Sequence, residues 1–235
     1  MRILLWNCNN GMARSEQISY FQTFNPDIAI IPELKQSNLD KLDIYDSVWV
    51  TNNHTNSKPK GLGIVSFNGY SLEELDRDED MEIYIPLQVS KSNFSFRLLA
   101  VWNFYYACKQ GRFAGVRGEN CLEWSAIRHY CPLLTNPCLV VGDWNFGPKC
   151  FPDSFKRLCS MAEEHGLKSL YHSFHSIDEI ETNHATFKTT RGNFHQIDHF
   201  FGSEDFQNTM RSYEIDTFDN VVLSDHAPTL VDFEV

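Results

Sequence analysis

The chain has 235 residues, 42% hydrophobic and 22% charged, which excludes a disordered, collagen-like or coiled-coil protein and supplies enough apolar side chain for a sizeable core. At about 150 residues per ordinary domain, one large domain over 1–235 is expected rather than two small ones. Twenty Lys and Arg against thirty-one Asp and Glu leave a net charge of −11, which argues against a passive nucleic-acid binder that relies on a positive surface but not against an enzyme acting on polyanions.

No apolar run approaches the ~20 residues needed to cross a bilayer. The opening MRILLWNCNN lacks the apolar core and cleavage site of a leader and reads as a first strand. Seven cysteines (Cys8, Cys108, Cys121, Cys131, Cys138, Cys150, Cys159) form no C-x-x-C pair and are odd in number. Reduced, mostly buried thiols in a cytoplasmic protein are therefore expected.

In chain order, residues 2–8 form a near-continuous apolar run, the pattern of a strand covered on both faces. Ile18, Tyr20, Phe21 and Phe24 then recur at helical spacing over 14–24, with Ser15 expected as the cap and Asn25-Pro26 as the stop. A buried strand over 27–31 follows, and strand, helix, strand suggests an α/β domain. The β-prone runs 47–50, 62–68, 81–89 and 94–103 alternate with turn residues such as Asn68-Gly69 and read as hairpins of a mixed sheet. Within 72–84, seven acids face the single base Arg77, a block expected to be a solvated turn. Helices are expected over 120–134 and 153–165, the latter ended by Gly166, and strands over 196–201, 211–216 and 227–235.

Polar residues gather where these apolar runs end. Asn7 and Asn9 close the first strand, Glu33 follows the second, Asp143 and Asn145 follow LVVG, Asp198 lies in HQIDHFF, and Asp225-His226 precede the last strand. Carboxylates and amides are the oxygen ligands that hard cations prefer, which points to Mg²⁺, with Mn²⁺ as substitute, rather than zinc. Residues two apart on a strand share a face, so Asp143 can pair with Asn145, and Asn7 with Asn9.

Taken in order, WNCN, IPE, GDWN, HQID and SDHAP resemble the endonuclease/exonuclease/phosphatase superfamily over essentially the whole chain, and its exonuclease III-like branch in particular. The resemblance implies a DNase I-like, four-layer α/β sandwich of two packed mixed sheets flanked by helices, with the site in a cleft at one edge. It also implies that Glu33, Asn7 and Asp225 hold the metal. Asp143 would orient or deprotonate water, Asn145 would hold a phosphate oxygen, and His226 paired with Asp198 would hold phosphate or move a proton. Two positions depart from the common pattern. Asn103 stands where many members carry His or Tyr, and is expected to donate to phosphate instead. Asn9 replaces a second acid, as in exonuclease III-like members. The other histidines are expected to be surface or internally satisfied, with His195 and His199 flanking Asp198.

Positive charge around the cleft is expected from Lys58, Lys60, Lys149, Arg191 and the glycine-rich, basic and aromatic loop over 104–117, whose Lys109, Arg112 and Arg117 would grip a strand. Trp144 is a candidate for stacking on a base. The leading expectation is a Mg²⁺-dependent nuclease acting on DNA. A phosphatase or phosphodiesterase acting on inositol phosphates, lipids or small nucleotides is the alternative that the acidic balance favours.

Overall fold

A computed structural model describes residues 1–9, 11–51, 60–81, 83–103, 112–220 and 223–235. In chain order it contains β1 (Arg2–Leu5), α1 (Ser15–Thr23), β2 (Ile28–Lys35), β3 (Asp46–Thr51), β4 (Lys60–Ser66), β5 (Ser71–Glu74), β6 (Tyr84–Lys91) and β7 (Phe94–Trp102). There follow α2 (Leu122–Tyr130), β8 (Cys138–Asp143), α3 (Pro152–Glu163), β9 (Lys168–Ser169), α4 (Leu170–His175), β10 (Phe187–Lys188), β11 (Phe194–His195), β12 (Asp198–Gly202), α5 (Glu204–Thr209), β13 (Met210–Ile215) and β14 (Thr229–Phe233).

Twelve of the strands make two six-stranded sheets, ordered β13-β14-β1-β2-β4-β3 and β5-β6-β7-β8-β12-β9, while β10 and β11 pair separately. Both sheets are mixed: β1 runs parallel to β2, and β7 to β8, among otherwise antiparallel neighbours. The period of two along each strand sorts the side chains into layers. Ile3, Leu5, Ile28, Ile30, Leu62 and Ile64 join the central core with Leu87, Leu98 and Ala100 of the second sheet. Leu4, Ala29, Ile31 and Val65, on the opposite face of the first sheet, pack on Phe21 of α1. On β12, Phe200 meets Tyr213 of the first sheet, with ring centroids 5.8 Å apart, whereas His199 stacks outward on Phe155 of α3 at 4.6 Å. The result is the expected order of helix, sheet, sheet, helix.

Local chemistry explains the boundaries. α1 is not capped by Ser15: Gln17 Oε1 accepts the Arg14 N–H at 3.2 Å, its amide held by donation to the Cys8 carbonyl. The helix expected over 120–134 ends at Tyr130, because Pro132 lacks an N–H and forces the tighter turn of Cys131–Leu133. Asn68 and Gly69, with φ of 55° and 82°, make the two-residue turn their sequence predicts. Gly142 has no alternative, since a Cβ there would lie 1.9 Å from the Val101 carbonyl oxygen. The acidic block is not merely solvated: Asp78 and Asp80 hold Arg112, and the Asp78 N–H donates to Tyr130 Oη.

Candidate active site

Strand parity aims the polar residues into the gap between the sheets. Asn7 continues the inward series Ile3, Leu5. Asp198 continues the inward side of Phe200 and lies directly opposite Asp143 in the β8–β12 register. Glu33 has the parity of the outward residues Ala29 and Ile31, so a regular strand would point it away. β2 instead carries a bulge: Ile31 pairs with Gly63 but Leu34 with Gly61, and Leu34 rejoins the outer cluster. The extra residue moves position 33 to the inner side, at a φ of 63° that a glutamate adopts only at a cost. Asn9 and Asn145 also have positive φ, 39° and 56°, so three of the cleft's residues sit in the left-handed region.

One hydrogen-bonded chain joins the acids. Asn7 Nδ2 donates to Asp143 Oδ2 at 3.1 Å and to Glu33 Oε1 at 3.5 Å. Its Oδ1 accepts the Asn9 N–H at 3.1 Å, and Asn9 Nδ2 donates to Asp225 Oδ1 at 3.0 Å. Lys60 forms an ion pair with Glu33 Oε2. Asp143 Oδ1 accepts the Asn145 N–H at 3.0 Å. His226 Nδ1 donates to Asp198 Oδ2 at 2.9 Å, and its ring lies 4.8 Å from that of Phe187. The sharp turn that brings both Asp225 and His226 inward is fixed by Ser224, whose Oγ donates to the Asn7 carbonyl and accepts the His226 N–H.

Charge follows from this packing. Burial, then the Asp198 charge, pushes the Asp143 carboxyl up to about 7. Burial also opposes the charged form of His226, but Asp198, through its charge and its hydrogen bond, overrides that with help from Asp143 and Asp225 and raises the ring to about 9. His199 has no such partner: burial lowers it to about 4, and its Nε2 bonds to the Phe146 carbonyl at 2.9 Å. His199 Nδ1 is buried without a partner, so that ring is only half satisfied, whereas His172 has both nitrogens bonded, to Ser169 Oγ and the Glu181 carbonyl.

The β10–β11 hairpin is welded to this cleft. Lys188 N–H donates to the Asp225 carbonyl and Ala227 N–H to that of Thr186, both at 2.8 Å. Thr186 Oγ1 in turn accepts the N–H groups of Ile197 and Asp198. Outward, the hairpin presents Arg191 near its turn and a half-exposed Phe194, with Lys188 Nζ 5.4 Å above the Phe194 ring and Phe218 beside it.

Of the residues expected at the site, Asn7, Glu33, Asp143, Asn145, Asp198, Asp225 and His226 are brought together. Asn103 adjoins them but is buried, with Nδ2 donating to the Trp144 carbonyl and its own carbonyl accepting from Asn145 Nδ2, both at 3.0 Å. It braces the Asp143–Asn145 turn rather than presenting a donor to phosphate. Trp144 is fully buried against Tyr84 and Phe146, so it cannot stack on a base. Arg112, half exposed, forms surface ion pairs with Asp78 and Asp80. Arg117 and Arg191 are exposed, and Lys149 donates to the Thr182 carbonyl. Lys58, Lys109 and most of the 104–117 loop lie outside the described residues.

Sequence reasoning missed Phe187 and Ser224 as supports of His226. Each had only a weak signal, an aromatic beside Thr186 and a serine opening SDHAP. The six described cysteines are free and five are buried, with burial pushing Cys8 up to about 12, so none is a thiolate nucleophile.

The carboxylates of the cleft suit a hard cation, and His226, kept charged by Asp198, stands beside them as a neighbour rather than a ligand. One carboxylate oxygen from each of Asp143 and Asp198 and one His226 nitrogen all lie within 4.8 Å of one another. Asp198 Oδ1 is buried without a hydrogen-bond partner, and no cysteine is in the group. This group differs from the expected set Glu33, Asn7, Asp225, which is joined to Asp143 through Asn7.

No protein-family model and no curated protein matches the chain. Solved structures do. The chain is similar to a 3'-5' exonuclease from Neisseria meningitidis (19% identity, TM-score 0.70) and to an AP endonuclease from Archaeoglobus fulgidus (15%, TM-score 0.70), in both cases over 100% of each chain. It is also similar to an endonuclease/exonuclease/phosphatase family protein from Leptotrichia buccalis (13% identity, TM-score 0.64), again over 100% of each chain. The chain thus has the DNase I-like fold that its ordered motifs implied.

Proposed function

We propose that this chain is a divalent-metal-dependent phosphodiester hydrolase acting on DNA, using Mg²⁺ or Mn²⁺. The observation that carries the reading is the convergence, at one end of the inter-sheet cleft, of a carboxylate raised toward neutrality (Asp143) and a carboxylate-backed cationic imidazole (His226), linked by Asn7 to Glu33. Phosphoryl-ester hydrolysis needs a base for water and fixed positive charge for the phosphate oxygens, and this arrangement offers both.

In this reading Asp143 orients water and accepts its proton, which a carboxyl near 7 can do at neutral pH. His226, kept charged by Asp198, holds a phosphate oxygen or returns a proton to the leaving oxygen. Asn145 Nδ2 gives one N–H to the Asn103 carbonyl, and its second N–H is available to a phosphate oxygen. Glu33, Asn7 and Asp225, together with the Asp143–Asp198 side of the cleft, would hold the divalent ion, which when bound supplies Lewis-acid stabilisation of the phosphate. Lys188, Arg191 and Phe194 on the adjoining hairpin suit an approaching strand, offering two cations and an aromatic face.

We take 1–235 as one catalytic domain because β13 and β14 return to complete the sheet that β1–β4 begin. A reducing, cytoplasmic setting is part of the same proposal. The second reading, a phosphatase or phosphodiesterase of small phosphate esters, is favoured by one observation: Arg112, expected to grip DNA, forms surface ion pairs with Asp78 and Asp80. The test uses end-labelled single-stranded, duplex and abasic DNA, RNA and a small phosphodiester, each with Mg²⁺, Mn²⁺ or EDTA. DNA cleavage that EDTA stops supports the nuclease. Intact polymers with a hydrolysed small ester move the assignment to the second reading.

A further inference from the structure

Glu33 enters the cleft with one oxygen already neutralised. Among the described residues, Lys60 is the cation at ion-pair distance from it, held on Oε2, while Oε1 has only the long 3.5 Å donation from Asn7. Both side chains are largely enclosed, 28% exposed for Lys60 and 21% for Glu33, so the pair is screened less than a surface pair. The contact is built by the fold. Lys60 has the inward parity of Leu62 and Ile64, and the bulge in β2 brings Glu33 to the same side. Lys35, opposite Lys60 in the register, is directed elsewhere: a Cβ on Gly11 would lie 2.4 Å from Lys35 Cγ. The other cleft acids have different partners, His226 for Asp198 and the Asn9 amide for Asp225.

We infer that Lys60 is a built-in counter-cation of Glu33, and that a divalent ion loads the cleft by competing with its ammonium group for that carboxylate. The inference rests on the metal-dependent reading above. An ammonium and a divalent ion both seek the oxygens of one carboxylate, and like charges repel at that spacing, so the ion pair must be given up or shared when the metal enters. Metal affinity is then set lower than the acids alone would set it, and removing the ammonium strengthens it. A passive structural lysine has the opposite signature: losing it disorders the site and weakens metal binding.

The test is Mn²⁺ binding to the metal-free full chain without substrate, followed by the paramagnetic resonance of free Mn²⁺ and by calorimetry. Lys60→Met is expected to tighten Mn²⁺ binding about fivefold, the change that an ion pair of roughly 1 kcal/mol returns. Lys60→Arg, which keeps the charge, is expected to stay near the native affinity. Thermal unfolding confirms that each variant is folded. Glu33→Gln separates the two levels. If Glu33→Gln weakens Mn²⁺ binding but Lys60→Met leaves it unchanged or weaker, the competition is refuted while the metal site stands. If Glu33→Gln does not alter binding, Glu33 is no ligand and both ideas fail.

Discussion

Replacing Asp198 by Asn keeps the side chain's shape and removes the carboxylate 2.9 Å from His226 Nδ1. In the native chain the ring, raised to about 9, is mostly protonated at neutral pH, whereas a ring at the ordinary 6.5 is mostly neutral there. The difference between those values corresponds to roughly 3 kcal/mol of preference for the charged form in the folded state. Because the folded value is raised, this stabilisation is present in full below pH 6.5 and is lost as pH rises through about 9. Asp143, raised from 3.8 to about 7 in part by the Asp198 charge, loses its own contribution as pH rises through about 7, so the imidazole is compared from pH 8 upward. The assay is an NMR titration of the His226 ring in metal-free protein, with urea unfolding at about pH 8 and about pH 10 alongside, on either side of the raised His226 value. In Asp198→Asn burial acts with less opposition, so the ring titrates well below 9 and the fall in unfolding free energy between those pH values shrinks. A native ring titrating at or below 6.5, or a variant ring unchanged at 9, would refute the reasoning.

Trp144→Ala removes a fully buried indole beside Tyr84 and Phe146 and is expected to cost about 3–5 kcal/mol in urea unfolding. A surface stacking role would instead leave stability unchanged. Asn103→Ala leaves the Trp144 carbonyl without its 3.0 Å donor and is expected to destabilise the fold by about 1–3 kcal/mol in the same assay. Neutralising Lys188 and Arg191 together should lower the salt dependence of DNA binding by nearly two counterions, read as the slope of log affinity against log salt. Arg112→Ala, by contrast, should leave that slope unaltered, since its guanidinium is held by Asp78 and Asp80.

The layers of the fold were legible because they are written in apolar runs and turn residues. LLW, IAII and LVVG are buried on both faces, and NG and KSN sit where hairpins turn. The cleft's members were legible because polar residues closing apolar runs are conspicuous. Four things were not. The bulge that swings Glu33 inward depends on how β2 registers against β4, and a register has no signature in either strand alone. Trp144 and Asn103 lie beside catalytic candidates in sequence, but their side chains are taken up by the core and by the turn, which adjacency does not reveal. Arg112 seemed free because its partners lie over thirty residues earlier, in an acidic block that composition alone assigns to solvent. The short α4 and α5 carry too few residues for periodicity to mark them.

The role of Asp143 in metal-dependent cleavage is tested most directly by a time course of labelled-DNA cleavage in Mg²⁺ by the native chain and by Asp143→Asn, with thermal unfolding of both. Native cleavage is expected to be abolished by EDTA, and the variant is expected to stay folded but to cleave more slowly by about 100-fold or more. Cleavage by Asp143→Asn at the native rate, or native cleavage that persists in EDTA, would contradict that role.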